Sequence, residues 1–237
     1  LAQIIRTPGY QRIGTTKKLV PDLSVAPTGY QCVKYMTDPS QDGWNANTND
    51  LPVFRYAEVL LNFAEAKAEL GQLTQDDVDR SINLIRSRAG MPGVDVGNIP
   101  SDPEIQGLYP DVTDARILMV RRERRIELAM EGFRYDDLMR WKEGHLLAAP
   151  FYGMYYPAKG PMDLDGDGKA DIALVDAKVS NPDPTLQYYV LGTDHKLSEG
   201  DHGNIMVYPN LSKTFTEDRD YLYPLPNGRL LGVGESV

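Results

Sequence analysis

FRYAEVLLNFAEAKAELG (54–71), INLIRSRAG (82–90) and RRERRIELAMEGFRYDDLMRW (121–141) decide the fold. Val53, Tyr56, Ala57, Leu60, Leu61, Ala64 and Ala68 recur at the i, i+3, i+4, i+7 spacing of a helix that buries one face. Arg55, Glu58 and Glu65 flank that stripe, and Glu123, Arg124, Arg125, Glu127, Glu131, Arg134, Asp136, Asp137 and Arg140 crowd the third segment. A lone buried charge costs several kcal/mol, roughly, unless it is paired and hydrogen-bonded. Arginine suits such pairing because its planar fork meets two carboxylate oxygens at once. The pattern therefore predicts that at least two of Arg55, Arg86, Arg124, Glu127, Glu131 and Arg134 make largely buried bridges between helices. Asp136 and Asp137 could in principle work as an acid–base pair. Their arginine neighbours make a structural network the stronger reading.

Working outward, the punctuation predicts four helices. The first covers 52–70, with Pro52 in its first turn and Gly71 past its end. The second covers 75–89, with Thr74 as N-cap, Asp77 as capping-box partner, and Gly90 and Pro92 as the stop. The third covers 113–131, capped by Thr113 and ended by Gly132, and the fourth covers 134–143. Short turns make the helices antiparallel neighbours, in hairpins of tetratricopeptide-like geometry. Residues 91–112 read as a connection rich in proline and glycine. Residues 145–237 read as a long loop-rich segment with short strands, the kind of region where a binding protein carries its function. The fold class is mostly α.

The 237 residues are 41% hydrophobic, enough for a sizeable core. A net charge of −9 argues against a broad nucleic-acid footprint, which needs a basic face. The single cysteine, Cys32, lies between Gln31 and Val33 in a strand-like run and reads as a buried, inert thiol. No stretch reaches the ~18 apolar residues that span a bilayer.

DLDGDGKAD (163–171) is the sharpest local motif. Asp163, Asp165 and Asp167 stand at loop positions 1, 3 and 5, Gly168 at position 6, the Lys169 carbonyl at 7 and the Asp171 carboxylate at 9. Oxygens at that spacing gather a hard cation such as Ca²⁺. Position 12 is Leu174 rather than the glutamate of an EF-hand, and IALV after the loop reads as a strand, so the expectation is a structural Ca²⁺ loop. A metal-free acidic turn is the alternative. FYGMYY (151–156) and the lone Trp44 place rings in polar loops. Flat rings stack on sugars and dock peptides, so Trp44, Tyr152, Tyr155 and Tyr156 are the candidate ligand-binding residues, with core packing as the competing reading. His145, His195 and His202 lack metal-ligand spacing, and no nucleophile-elbow, P-loop or dinucleotide motif occurs.

RYAEVLLNFAEA, then IN-x-IR-x-RAG, then RRERRIELAMEGFRYDDLMRW resembles the C-terminal half of the SusD/RagB family. TGYQCVKY (28–35) resembles the short stretch before that family's first helix of this half, and DYLYPLP (220–226) its terminal tyrosine–proline motif. NGRLLGVGESV departs from the family's asparagine–proline tail. The resemblance implies that residues 1–237 are the C-terminal part of a SusD/RagB-like domain, with the N-terminal half and its lipid-anchor cysteine upstream. It implies a non-catalytic, surface-exposed outer-membrane lipoprotein of Bacteroidetes. Such a protein captures oligosaccharides for a SusC-like TonB-dependent transporter. Two alternatives stand beside it: a peptide-binding surface protein of the RagB type, and a glycan hydrolase of helical fold.

Overall fold

The computed structural model describes residues 4–6, 10–12, 14–16, 18–35, 37–41, 43–50, 52–180 and 182–223. Among these residues six α-helices come first: α1 (Tyr56–Glu69), α2 (Gln75–Asp79), α3 (Ile82–Arg88), α4 (Pro103–Leu108), α5 (Ala115–Glu127) and α6 (Phe133–Arg140). Five short strands follow: β1 (Phe151–Tyr156), β2 (Gly160–Met162), β3 (Ile172–Val175), β4 (Gln187–Val190) and β5 (Gly203–Val207).

The apolar stripe of α1 behaves as its spacing predicts. Leu60, Leu61, Ala64 and Ala68 are buried with Leu73, Val78, Ile82, Ile85, Met119 and Val120 in one core shared by α1, α2, α3 and α5. Its two N-terminal members depart from that: Val53 and Tyr56 are exposed. Thr74 and Asp77 form the predicted capping box, with the Asp77 amide donating to Thr74 Oγ1 at 3.2 Å and Asp77 Oδ2 accepting from the Thr74 amide at 3.2 Å.

Four expectations need correction. The second helix is not continuous over 75–89. Ser81 leaves helical geometry at φ −132° and ψ −90°, and its hydroxyl donates to the Asp77 carbonyl, so the segment breaks into α2 and α3. The connection 91–112 holds α4, which the Asp102 side chain caps by accepting from the Ile105 amide at 3.1 Å. The third helix starts later, with Asp114 rather than Thr113 as its cap. Cys32 is exposed, not buried. The stretch alternates, and Val33 takes the inward position while Cys32 faces out.

The strands build two small sheets. β1 pairs antiparallel with β5. β2 pairs antiparallel with β3, which pairs parallel with β4, so β3 is the central strand of a three-stranded sheet. Leu23, Tyr156, Leu164, Ile172, Leu174, Tyr189, Leu197 and Ile205 form the core beneath them. FYGMYY, expected in a loop, is thus strand β1. Residues 224–226 of DYLYPLP and the tail 227–237 lie outside the described residues.

Candidate functional site

The charged network runs between α1, α3, α5 and α6. Arg55, just before α1, donates to Glu127 Oε1 at 2.5 Å and to both oxygens of Glu131 at 2.5 and 2.6 Å. Arg86 of α3 donates to Glu123 of α5 at 2.6 Å. Arg124 Nε meets both oxygens of Asp137 at 2.8 Å, and its Nη1 reaches Asn62 at 2.7 Å. Arg140 and Trp141 converge on Glu65 from α6, the indole donating at 2.7 Å. Glu65, Glu123, Arg124 and Asp137 are all buried. Five of the six named residues therefore pair between elements. Arg134 instead lies over the rings of Tyr109 and Trp141, at 6.0 and 5.9 Å.

Electrostatics follow from this packing. Burial works to raise the Glu65 carboxyl, but hydrogen bonds from Arg140 and Trp141, with the charges of Arg140 and Arg124, outweigh it and hold it below the usual value. Glu131 behaves alike: burial raises it, and Arg55 and Lys34 pull it down further. Such a network orders helices. Asp137 and Arg124 line the cleft described below, but both Asp137 oxygens are engaged by Arg124 and one of them also by Arg140, so Asp137 is held as an ion-pair partner.

The aromatic candidates divide. Trp44 is 95% exposed in the loop before α1. Tyr152 and Tyr155 of β1 are 53% and 52% exposed. Among the described residues no ring contact joins Trp44 to either tyrosine. Tyr156 is fully buried in the strand core and so does not line a surface, a correction to its expected role. Burial raises its phenol well above the ordinary value, and its hydroxyl has no hydrogen-bond partner. In an unbroken strand Tyr152 and Tyr155 would face opposite sides. The pairing with β5 shifts register between them, a bulge that leaves both exposed. Gly153, inside that bulge, is buried against the backbone of Thr28.

β1 starts at the wall of a cleft of about 520 Å³, a volume in the range of small-ligand sites. Leu128, Met130, Phe133, Arg134, Leu146 and Phe151 are among its lining residues. Lys213 stands 3.6 Å over the Phe151 ring. This cleft escaped sequence reasoning because its walls come from the α5–α6 turn, the short 3-10 turn Gly144–Ala148 and the start of β1. The only local sign was the aromatic run itself.

The acidic loop spans the β2–β3 turn, anchored by buried Leu164 and by the Asp171 amide donating to the Met162 carbonyl at 2.9 Å. Asp163 accepts from the amides of Asp165, Gly166 and Gly168 at 3.1, 2.6 and 2.8 Å. Gly168 has φ +85°, the left-handed turn expected at its position. One carboxylate oxygen each from Asp163, Asp165 and Asp171 lies within 4.8 Å of the others. Asp167 does not join that set; its Oδ1 accepts from the Lys169 amide at 2.8 Å. The amide bonds, led by that from Gly168, pull the Asp163 carboxyl down. Burial, then the charges of Asp165 and Asp163, push the Asp171 carboxyl up.

Comparison with known proteins now decides the family. The sequence pattern of the SusD family matches residues 7–231. The chain belongs to the SusD family. It is 36% identical over 121 residues to SusD-like protein P38 of Formosa agariphila, covering 51% of this chain and 22% of that protein. The fold of this SusD member is similar to a SusD-like carbohydrate binding protein from Bacteroides fragilis, with 29% identity and a TM-score of 0.52, over 96% of this chain and 39% of that one. The chain thus spans about a fifth and two fifths of these relatives' lengths. No helix among the described residues is long and apolar enough to cross a membrane.

Proposed function

We propose that this SusD-family chain is the C-terminal part of a surface-exposed, lipid-anchored outer-membrane protein that binds oligosaccharides without acting on them. In this reading its helices form tetratricopeptide-like hairpins, and the bound glycan passes to a SusC-like TonB-dependent transporter. One observation carries it. The bulge in β1 exposes Tyr152 and Tyr155 on the strand whose first residue, Phe151, lines a cleft together with Arg134. Rings stack on sugar C–H faces, and a guanidinium donates to hydroxyl oxygens. Micromolar to millimolar affinity, about −8 to −4 kcal/mol, suffices for capture before transport. The relative from Bacteroides fragilis, described as a carbohydrate binding protein, supports the ligand class.

The apolar share of the cleft, Leu128, Met130, Phe133 and Leu146, favours a second reading, peptide binding. Calorimetry with neutral oligosaccharides and with oligopeptides separates the two. Saccharide binding weakened at least tenfold by Tyr152→Ala and Tyr155→Ala supports the first. Peptide binding alone, or saccharide binding indifferent to both changes, removes it. Turnover of the saccharides would instead point to a hydrolase.

We also propose that Asp163, Asp165 and Asp171 hold one structural Ca²⁺, with Asp167 and the Lys169 carbonyl completing the shell by a small turn of the loop. Three converging carboxylates repel each other unless a cation joins them.

A further inference from the structure

The charges that line the cleft do not balance. Four of its lining residues are charged, and three of those are arginines. Arg124 and Asp137 cancel, since the buried pair meets through two bonds of 2.8 Å. Arg125 and Arg134 are left over. The Arg125 side chain is exposed and has no carboxylate within ion-pair distance among the described residues. Arg134 is half-buried, and its N–H donors find no acceptor among the described residues. Its Nη1 is shut off from solvent without a partner, with the rings of Tyr109 and Trp141 beside the guanidinium.

The stretch 213–221 brings a third cation to the edge of the cleft. Phe215 lies on Gly144, where a Cβ would stand 2.1 Å from its ring. Tyr221 meets Phe215 edge-on at 4.9 Å, and its hydroxyl accepts from the Gly144 amide at 3.0 Å. Docked in this way, the stretch sets Lys213 against two lining residues. Its ammonium donates to the Ala149 carbonyl and stands 3.6 Å over the Phe151 ring. Lys213 too has no carboxylate partner among the described residues. The chain as a whole carries −9, so its excess of carboxylates lies elsewhere.

We infer that the saccharide held at this cleft is anionic, its carboxylate or sulfate groups meeting Arg125 and Arg134, with Lys213 at the edge. The inference rests on the saccharide-binding reading above and names the ligand class within it. A guanidinium fork pairs two oxygens of such a group at once, which a neutral sugar cannot offer. Leu128, Met130 and Phe133 supply the apolar wall for the sugar's C–H faces, and the arginines read its charge. The negative charge of the whole chain opposes this weakly, because exposed charges beyond about 8 Å are screened at physiological salt.

The test is calorimetry on the intact gene product with two matched pairs of probes. One pair is an oligogalacturonate and its methyl ester; the other is a sulfated galactan oligosaccharide and its desulfated form. In at least one pair the anionic member should bind about tenfold more tightly than its neutral partner, an advantage that shrinks as salt is raised. The pair that shows it tells carboxylate from sulfate. Arg125→Gln, Arg134→Gln and Lys213→Gln should each reduce the advantage, and exposed Lys178→Gln should not. Equal binding within both pairs would overturn the inference and leave the saccharide reading standing. So would an advantage that survives all three changes. Binding of none of the four probes, or of oligopeptides alone, would remove the saccharide reading and the inference with it. Arg125 is exposed, so its substitution keeps the test open should Arg134→Gln fail to fold.

Discussion

The carbonyl oxygen of Thr28 accepts a hydrogen bond from the amide of Met154 at 2.8 Å, and Gly153 beside it lies flat against the same peptide group. A Cβ on Gly153 would stand 2.4 Å from that oxygen, closer than atoms tolerate. The contact holds the bulge of β1 in place. Six residues on, Lys34 of the same stretch donates to the Glu127 and Ala129 carbonyls at 3.0 and 2.9 Å, at the end of α5. Residues 28–34 thus tie the strands to the helices.

Gly153→Ala should destabilise by about 1–3 kcal/mol, the usual cost of overpacking. It should also weaken saccharide binding, because the strand must move to make room. Denaturant unfolding and calorimetry check both. A variant as stable as the parent would mean that the Thr28 contact is loose.

Tyr152→Ala and Tyr155→Ala should leave the melting temperature nearly unchanged while weakening the ligand. Tyr156→Phe should do the reverse. Removing a buried hydroxyl without a partner relieves a desolvation cost on the order of 1 kcal/mol, so stability should hold or rise while binding stays constant. Thermal melts beside binding isotherms separate the three positions.

Asp137→Asn should cost about 3–5 kcal/mol, since it leaves buried Arg124 with only the more distant Glu65 carboxylate, 3.8 Å away. Urea midpoints measure the loss. Exposed Lys178→Ala, by contrast, should shift nothing.

Acid should unfold the helical part through Glu65 and Glu131. Both are held below the ordinary glutamate value of 4.5 in the folded state. A depressed carboxyl stabilises fully above its unfolded value, and that contribution disappears as pH falls below it. Stability should therefore decline from about pH 5 downward. Glu65→Gln should lower stability at pH 7 and flatten the decline. An unchanged acid slope in that variant would show that other groups carry it.

Chelation should lower the melting temperature and loosen 163–171, and Ca²⁺ should restore both, because a ligand bound only by the folded state stabilises it by mass action. Asp165→Asn should remove the response. Calorimetry that detects no Ca²⁺ binding at millimolar concentration would exclude the ion.

What the sequence disclosed depended on range. The core stripe of α1 from Ala57 to Ala68 and the Thr74 cap are written within a few residues of themselves and formed as read, while Val53 and Tyr56 at the start of the stripe stayed exposed. The bridges from Arg55 and Arg86 were legible as a need for partners, because charge stood beside apolar stripes. The Ser81 break was not legible, since one hydroxyl reaching back to Asp77 competes with a helical pattern that runs straight through it. Nor was β1, because its partner lies some fifty residues onward and the bulge hides the alternation that marks a strand. For the same reason Tyr156, adjacent to Tyr155, looked like its equal. The cleft showed little beyond the aromatic run, since its wall is the stretch 124–151 folded back on itself and closed by Leu108.

The pairing of Tyr156 with Gly203 brings the chain back to the place it left. The span between them, with the Asp loop and the three-stranded sheet, is one excursion that returns to pack on Leu23, Tyr156 and Ile205. The entropy of closing such a loop grows only with the logarithm of its length, about 0.6 kcal/mol per doubling. Descendants of this chain can therefore lengthen, shorten or exchange the excursion while the helices and that pairing keep their form. Diversity in what related proteins hold at this face should accumulate there, as changes of length before changes of framework.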